Sequence, residues 1–153
     1  MRFEGAVTIN APRETVWRFL TDPEGVSQCV PGLETLEVTE PGRRFRAVAG
    51  IGFGSVKARF TTDVEWLELD APNRARMKAH GTAPGSAMDA ESGMVLTDNA
   101  AGGTDLAWTA DVSVSGAIAS VAARLLGGVT QKLTAAFFDC VRARIEGPGP
   151  SRA

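Results

Sequence analysis

The sequence predicts an α+β fold in which a curved antiparallel sheet of about seven strands wraps around one long C-terminal helix, with two short helices after the first strand. Three observations support this prediction. A helical stripe of apolar residues runs from Ala117 to about Ile145, the middle of the chain alternates apolar and polar residues, and short turns separate the alternating segments. The stripe needs an apolar partner, and the sheet is the only element long enough to provide one.

The C-terminal helix is predicted from apolar residues that recur at steps of three and four. They are Ile118, Val121, Ala122, Leu125, Val129, Leu133, Ala136, Phe137, Cys140 and Val141. Gly127 and Gly128 interrupt this stripe, and each glycine costs a helix about 1 kcal/mol relative to alanine. One interpretation is a kink or a break into two helices. The other is that the missing side chains leave room for a ligand or for a strand.

The remaining elements follow from the chain in order. Residues 2–9 alternate as a first strand, and Pro12 opens a short helix at its first helical position. A second helical turn is expected at residues 24–29, followed by six more strands. Their predicted inward positions are Leu36 and Val38, then Phe45, Ala47, Ala49, Ile51 and Phe53, then Val56, Ala58, Phe60, Thr62, Val64 and Trp66, then Ala75, Met77 and Ala79, then Met88, Ala90, Ser92, Met94 and Leu96, and finally Leu106, Trp108, Ala110, Val112 and Val114.

Size and charge limit the classes of function. At 153 residues the chain forms one domain, which we place at residues 1–146, with a disordered tail at residues 147–153. The net charge of −2, without a basic stripe, argues against nucleic acid as a partner. No apolar run is long enough to span a bilayer, and the N-terminus is not a targeting segment. Two cysteines do not make a disulfide framework, so we expect a cytoplasmic protein.

Several spaced motifs carry a resemblance to a known family over residues 1–145. The segment from Ile9 to Trp17, with Leu20 and Asp22-Pro23, resembles the opening of the START-like (SRPBCC), helix-grip superfamily. More narrowly, the chain is similar to the G subunits encoded in carbon monoxide dehydrogenase gene clusters. The matching stretches are Asp22-Pro23-Glu24 through Cys29-Val30-Pro31-Gly32 to Glu34 and Leu36, Val56-Lys57-Ala58-Arg59-Phe60, Asp70-Ala71-Pro72, Gly103-Thr104-Asp105-Leu106, and Arg124-Leu125-Leu126 with Lys132-Leu133 and Phe137-Phe138.

This resemblance implies a small accessory protein of a molybdenum-containing hydroxylase. The resemblance implies that such proteins bind a hydrophobic ligand, a quinone, and link the enzyme to the membrane. Longer members carry a proline-rich tail and a hydrophobic or amphipathic anchor. The sequence ends at residues 147–153 without one. We therefore expect any contact to be peripheral, at the inner face of the cell membrane.

The predicted inward face is poor in groups that could carry out chemistry. Its strands three to seven hold no Asp, Glu, His, Lys or Arg, and Thr62 and Ser92 are its only strongly polar side chains. General acid–base catalysis requires a titratable group within hydrogen-bonding reach of the substrate. His80, the single histidine, is expected on the outer face, and one histidine with two distant cysteines cannot form a zinc or iron site. We therefore expect no catalytic residues, no metal and no required cofactor.

Two other motifs are open to more than one interpretation. Cys29 is expected at one rim of the interior, as a small buried hydrophobic residue or as a redox or ligand group, and Cys140 is expected in the core. Gly50-Ile51-Gly52-Phe53-Gly54-Ser55 lacks the features of a phosphate loop. We interpret it as a flexible tip in which Ile51 and Phe53 are exposed or gate the interior, or as a plain hairpin turn.

The inward face mixes many small side chains with a few bulky ones, which leaves space between sheet and helix. An empty void of roughly 300 Å³ would cost about 7 kcal/mol at about 24 cal/mol per Å³. Either Leu125, Leu126, Val129 and Phe137 fill that space or an apolar ligand does, and we favour the ligand. The predicted ligand-binding residues are Phe45, Phe53, Phe60, Met77, Met88, Met94, Trp108, Val121, Leu125 and Phe137.

Three hypotheses for the function follow. The first is a non-enzymatic binding protein for a quinone or lipid. The second is a small cyclase or hydrolase on the same fold, since one fold can host both kinds of function. The third is a ligand-free adaptor with a filled interior, which would act through its surface alone.

Overall fold

A computed structural model of the chain describes residues 1–146, so the predicted tail at residues 147–153 lies outside the described residues. The element order is one strand, two short helices, six strands and one long helix. The elements are β1 (Arg2–Ile9), α1 (Arg13–Leu20), α2 (Pro23–Ser27), β2 (Leu33–Glu40), β3 (Arg44–Phe53), β4 (Val56–Asp70), β5 (Arg74–Ala83), β6 (Ser86–Asp98), β7 (Thr104–Gly116) and α3 (Ala119–Glu146).

The seven strands form one antiparallel sheet in the order β1-β7-β6-β5-β4-β3-β2. Strands β2 to β6 each pair with the next strand in sequence because their connections are short turns, several of them at glycines with positive φ. The helices α1 and α2 carry the chain from β1 to β2, at opposite edges of the sheet. The predicted α+β architecture, with a curved sheet around a long C-terminal helix, is confirmed.

Helix α3 is continuous through Gly127 and Gly128, so the predicted break into two helices is wrong. A Cβ atom built on either glycine would meet no other atom within 4 Å, and both residues are exposed. The alternative interpretation, that these glycines make room for a ligand or a strand, is therefore wrong as well. They lie on the outer surface of the helix, where a missing side chain costs helix propensity and affects no packing.

The core consists of two clusters at opposite ends of α3. The first cluster includes Leu96, Leu106 and Val141 and receives α1 through Val16. The second includes Phe60 and Leu126. Leu126 and Val141 are fifteen positions apart on α3, or about 22 Å at 1.5 Å per residue. The helix is thus packed tightly onto the sheet near both ends, and its middle lies over the interior between the two clusters.

Cys29 and Cys140 are joined by a disulfide, with Cα atoms 5.4 Å apart and 111 positions between them in sequence. Cys29 is buried and Cys140 packs against the first core cluster, as expected, but the bond between them was not predicted, and it makes wrong the interpretation of Cys29 as a free small hydrophobic residue. Cys29 follows α2, and Cys140 lies in the last turns of α3, where the fold brings the two segments together. The bond fastens the segment after α2 to the long helix at the first core cluster.

Candidate ligand cavity

A cavity of about 400 Å³ lies between the concave face of the sheet and the middle of α3. Its walls come from three parts of the chain: strands β3 to β7, helix α3, and the segment that runs from the end of α1 to β2. The lining residues are Leu20, Thr21, Pro23, Val26, Val30, Leu33, Leu36, Phe45, Ala47, Val64, Trp66, Ala75, Met77, Ser92, Gly93, Met94, Leu106, Trp108, Ala110, Thr130, Thr134, Phe137 and Phe138.

The sheet side of the cavity owes its depth to a cross-strand row in which two large side chains are followed by two small ones. In one row Trp66 pairs with Met77, Met77 with Ser92, and Ser92 with Ala110. Cross-strand partners at one face lie about 5 Å apart, so the large side chains of this row stand beside small ones. The bulky side chains form walls, and Ser92 and Ala110 form part of the floor.

The helix contributes Thr130, Thr134, Phe137 and Phe138 to the cavity. Phe137 and Phe138 meet edge to face, with ring centroids 5.1 Å apart. Sequence reasoning missed the two threonines because it followed apolar residues only and placed Val129 and Leu133 on the inward stripe. The steps of four from Leu126 through Thr130 to Thr134 were the signal that could have identified them. Ala136, also placed on the stripe, is exposed.

The cavity lining is uncharged, and three of its hydroxyl groups donate hydrogen bonds to main-chain carbonyls. The Thr21 hydroxyl donates to Trp17 O at 2.8 Å, Ser92 to Thr109 O at 3.0 Å, and Thr134 to Thr130 O at 2.8 Å. Their protons are thereby used within the protein. The oxygen lone pairs of these groups stay free to accept a hydrogen bond from a ligand.

The structure divides the ten predicted binding residues into two groups of five. One group, Phe45, Met77, Met94, Trp108 and Phe137, lines the cavity. The other group, Phe53, Phe60, Met88, Val121 and Leu125, belongs to the second core cluster or packs against it. Ligand binding by any of them stays a prediction.

Phe53 corrects a further expectation. We expected Phe53 and Ile51 to be exposed or to gate the interior from the glycine-rich tip. Phe53 is only 3% exposed and belongs to the second core cluster, and Ile51 packs against that cluster. Leu125 of α3 lies close to the neighbouring Gly54. The tip is therefore a hairpin turn that fixes the first turns of α3 onto the sheet.

The outer face of the sheet carries charged side chains in paired rows. Arg44 contacts Glu65 at 2.8 Å, and Arg46 contacts Asp63 at 2.8 Å. The hydrogen bond from Arg44 lowers the pKa of Glu65 below its ordinary value, against the opposing effect of burial, and the charges of Arg43 and Lys78 lower it further. Hydrogen bonds to the same two carboxylates raise the pKa values of Arg44 and Arg46.

His80 lies on this outer face, as expected, with its Nδ1 atom 2.6 Å from Asp89 Oδ1. The charged rows border a depression of about 790 Å³, which is larger than the cavity beneath α3. Because its walls are paired ions, this depression suits water and small polar solutes rather than an apolar ligand. The cavity beneath α3 is the better candidate for a ligand site.

Two further findings concern residues 1–146. No cluster of three or more His, Cys, Asp or Glu side chains in this part of the chain has the arrangement of a metal site. No helix there has both the length and the hydropathy to cross a membrane.

Comparison with known proteins identifies the family. The family model of the carbon monoxide dehydrogenase G subunit (CoxG) matches residues 5–146. The chain belongs to this family. No curated protein matches the sequence. Among solved structures, this CoxG family member is similar to a conserved protein from Geobacillus kaustophilus, with 27% identity, 95% of each chain covered and a TM-score of 0.88.

More distant solved structures share the fold of this chain. A START superfamily protein from Mycobacterium smegmatis has 14% identity, with 95% of this chain and 97% of that chain covered and a TM-score of 0.69. The ZhuI aromatase/cyclase from Streptomyces sp. R1128 has 21% identity, with 95% and 93% covered and a TM-score of 0.73. The predicted START-like fold is confirmed, and family and fold together support a hydrophobic-ligand-binding or accessory role.

Proposed function

We propose that this CoxG family member binds a neutral hydrophobic small molecule, such as a quinone or another lipid, in the cavity beneath α3. The observation that carries the proposal is the combination of about 400 Å³ of space with an uncharged and mostly apolar lining. Pockets for small molecules range from about 300 to 1,000 Å³ and are predominantly apolar, with a few polar groups that set orientation. Here the Thr21, Ser92 and Thr134 hydroxyls are such groups.

Energetics favour an occupied cavity over an empty one. A sealed and dry void of 400 Å³ would cost about 10 kcal/mol at about 24 cal/mol per Å³, which is an upper bound for a cavity with an opening to the surface. That cost is comparable to the whole free energy of unfolding of a typical domain, about 5–15 kcal/mol. Water is a poor filling because each buried water molecule needs two to four polar partners. An apolar ligand removes the cost and gains about 25 cal/mol per Å² of buried apolar surface.

The lining also favours a neutral ligand over an ionised one. A buried carboxylate or phosphate group requires an opposite charge or several hydrogen-bond donors. The three hydroxyl protons described above are already donated to main-chain carbonyls. A quinone ring is neutral and flat, and it can pack against Trp66, Trp108 and the nearby methionines of the lining.

The proposed biological role is that of an accessory protein to a molybdenum hydroxylase of the carbon monoxide dehydrogenase type. Family membership supports this partner. Such a protein would help couple the hydroxylase to the membrane by carrying a quinone between them. We propose that the protein acts in the cytoplasm and contacts the inner face of the membrane peripherally.

Ligand identity can be tested first by native mass spectrometry of the protein purified from its own cells, followed by organic extraction of the bound molecule. Binding of a short-chain naphthoquinone can then be followed through quenching of tryptophan fluorescence, because Trp66 and Trp108 line the cavity. We expect a co-purifying neutral lipid or quinone and saturable quenching. Recovery of an ionised ligand, or quenching that does not saturate, would contradict the proposal.

Three serine variants link binding to the cavity. Ser92→Asp puts a carboxylate on the cavity floor and should weaken naphthoquinone binding by at least about tenfold, or about 1.4 kcal/mol. Ser92→Ala removes only the hydrogen bond to Thr109 O and should change binding much less. Ser113→Asp makes the same charge change at an exposed position of β7 and serves as the matched control. Equal effects of the two aspartates would show that the quinone binds elsewhere.

The two other hypotheses give different results in the same experiments. A cyclase or hydrolase would convert its bound ligand, so mass spectrometry would detect a product after incubation. An adaptor with a filled interior would carry no ligand and show no saturable quenching. The cavity of about 400 Å³ weighs against the adaptor, because its interior is not filled by Leu125, Leu126, Val129 and Phe137.

A further inference from the structure

One segment of the cavity wall is attached to the rest of the protein in an unusual way. Residues 22–31, which we call the lid, contain α2 and the turn that follows it. Pro23, Val26 and Val30 of the lid line the cavity. Movement of the lid away from α3 would therefore open the cavity along one side.

In the oxidised protein, the hydrogen bonds described for the lid run to the lid itself and to its immediate neighbours in sequence, because the Cys140 sulfur that lies near Gln28 O carries no proton while it is in the disulfide. Across residues 1–146, the main-chain bonds of the lid run to Phe19, to one another or to Leu33, as in Val26 N to Asp22 O at 2.9 Å. Its side-chain bonds are equally local, such as Ser27 Oγ to Glu24 O at 2.7 Å. Within residues 1–146, the lid is joined to a distant part of the chain by apolar packing and by one covalent bond, the disulfide from Cys29 to Cys140 on α3.

The two ends of the lid differ in how firmly they are held. At one end α1 stops at Leu20 and Pro23 starts α2, so the chain can pivot between the two helices. At the other end Gly32 is anchored to the sheet, because Gly50 N donates a hydrogen bond to Gly32 O at 2.9 Å. Gly32 has a φ of +77°, and a Cβ there would collide with Gly50 O, so this position must remain glycine. The disulfide lies between the pivot and the anchor.

We propose that the Cys29–Cys140 disulfide is a redox-operated latch that holds the lid over the cavity and releases it when reduced. In the cytoplasm, where we expect this protein, disulfides are rare and those that form are usually transient or redox-sensing. A bond that opened and closed with the redox state would couple ligand exchange to that state. This inference rests on the proposed function for the identity of the ligand, but the movement of the lid can be measured without one.

Release requires a dithiol reductant. One thiolate of the reductant attacks the Cys140 sulfur, since Cys140 is less buried than Cys29, and Cys29 leaves as a thiolate that takes up a proton. The second thiol of the reductant then attacks the mixed disulfide and releases Cys140 as a thiol. The protein gains two electrons and two protons, and the reductant becomes a disulfide. Reduction gives Cys140 an S–H group that can donate one weak hydrogen bond to Gln28 O, which lies 3.6 Å away.

Hydrogen–deuterium exchange of the full chain tests the lid directly, in the oxidised protein, in the protein reduced by a dithiol, and in the Cys29→Ser/Cys140→Ser variant. We expect the amides of residues 22–31 to exchange at least about tenfold faster after reduction, because a cross-link restrains a segment that otherwise opens locally. The amides of β5 and β6 should keep their protection. The variant should match the reduced protein and show no response to the reductant. Unchanged protection of the lid, or faster exchange spread equally over the sheet, would overturn the latch.

Ligand exchange provides a second measurement with the neutral fluorophore N-phenyl-1-naphthylamine. Its dissociation rate should rise at least about tenfold on reduction in the wild-type chain and should be fast in both conditions in the variant. An equal dissociation rate in the oxidised and reduced wild type would overturn the latch. If the fluorophore fails to bind in either state, the proposed function fails, and the exchange experiment still decides the lid.

Discussion

Filling the cavity should stabilise the ligand-free protein while it weakens ligand binding. The change that tests this is Ala110→Leu on β7, where Ala110 forms part of the cavity floor beside Ser92. Leucine adds three carbon atoms. At about 0.8 kcal/mol for each buried CH₂ group, the free energy of unfolding should rise by about 2 kcal/mol.

The same side chain occupies space that a ligand would use. We expect the dissociation constant of a short-chain naphthoquinone to increase at least about tenfold, which corresponds to about 1.4 kcal/mol. Both effects come from one event, because the leucine replaces part of the ligand. Most core substitutions that add volume destabilise a protein, so an increase in stability would be specific to a real void.

The assay is urea unfolding of protein that has been stripped of lipid by unfolding and refolding, followed by fluorescence titration with the naphthoquinone. Ala107→Leu is the matched control, because Ala107 lies on the same strand, is exposed and faces the other side of the sheet. It should change neither stability nor affinity beyond about 0.5 kcal/mol. A loss of about 1–3 kcal/mol in Ala110→Leu would indicate a close-packed interior and would refute the reasoning from the cavity.

Three further substitutions test the packing and the charges around the site. Gly5→Ala should lower the free energy of unfolding by about 1–3 kcal/mol and weaken ligand binding, because the new Cβ would lie 2.8 Å from the Trp108 indole and push it into the cavity. Urea unfolding measures the first effect and quinone titration the second. Thr104→Val should lower the free energy of unfolding in urea by about 1–3 kcal/mol, because the fully buried Thr104 hydroxyl donates a 2.8 Å hydrogen bond to Ala11 O, which would lose its partner. A loss below about 0.5 kcal/mol would contradict this reasoning. Glu65→Gln should lower the free energy of unfolding at neutral pH, because Arg44 lowers the pKa of Glu65 in the folded state and the charged carboxylate therefore stabilises the fold. The difference in free energy of unfolding between variant and wild type should shrink as the pH falls below the ordinary glutamate pKa of 4.5, because the carboxylate becomes protonated. A difference that persists at low pH would show that the charge is not its source.

The fold could be predicted from the sequence because each strand has one dry face. Alternation of period two records which residues face the core, and short turns between strands fix the order of pairing. The same alternation does not say where a strand continues past an irregularity. The predicted inward positions of β4 stop at Trp66, and the strand continues from there to Asp70 past a shift in register at Leu67, whose side chain is exposed.

The site was harder to predict because facing inward does not determine what a residue packs against. Phe60 and Trp108 both face the interior, yet Phe60 packs beneath the first turns of α3 and Trp108 lines the cavity. The difference depends on where along α3 each residue lies, and this is a property of the assembled helix and sheet. Thr130 was missed for a related reason, since its methyl group can line an apolar wall although threonine does not count as apolar in a periodicity argument.

The disulfide had no local signal at all, because 111 residues separate Cys29 from Cys140. Two cysteines in a chain of this length are compatible with free thiols, with a metal ligand pair or with one bond, and spacing cannot distinguish among them. Only the position of α2 beside the last turns of α3 brings the two sulfurs together.

The arrangement of the two core clusters explains how the fold can keep a cavity and remain stable. If the core were a single block, a void of about 400 Å³ would remove packing from its centre. Here α3 is held by Leu126 at one end and Val141 at the other, both in well-packed clusters. The stretch of helix between them therefore keeps its distance from the sheet even when the cavity lacks a ligand. The second cluster contains no lid residue and need not rearrange when a molecule enters. In the first cluster, Cys29 and Val26 belong to the lid, so the proposed opening would disturb the packing at that end, and the disulfide that restrains the lid is placed where it can control entry.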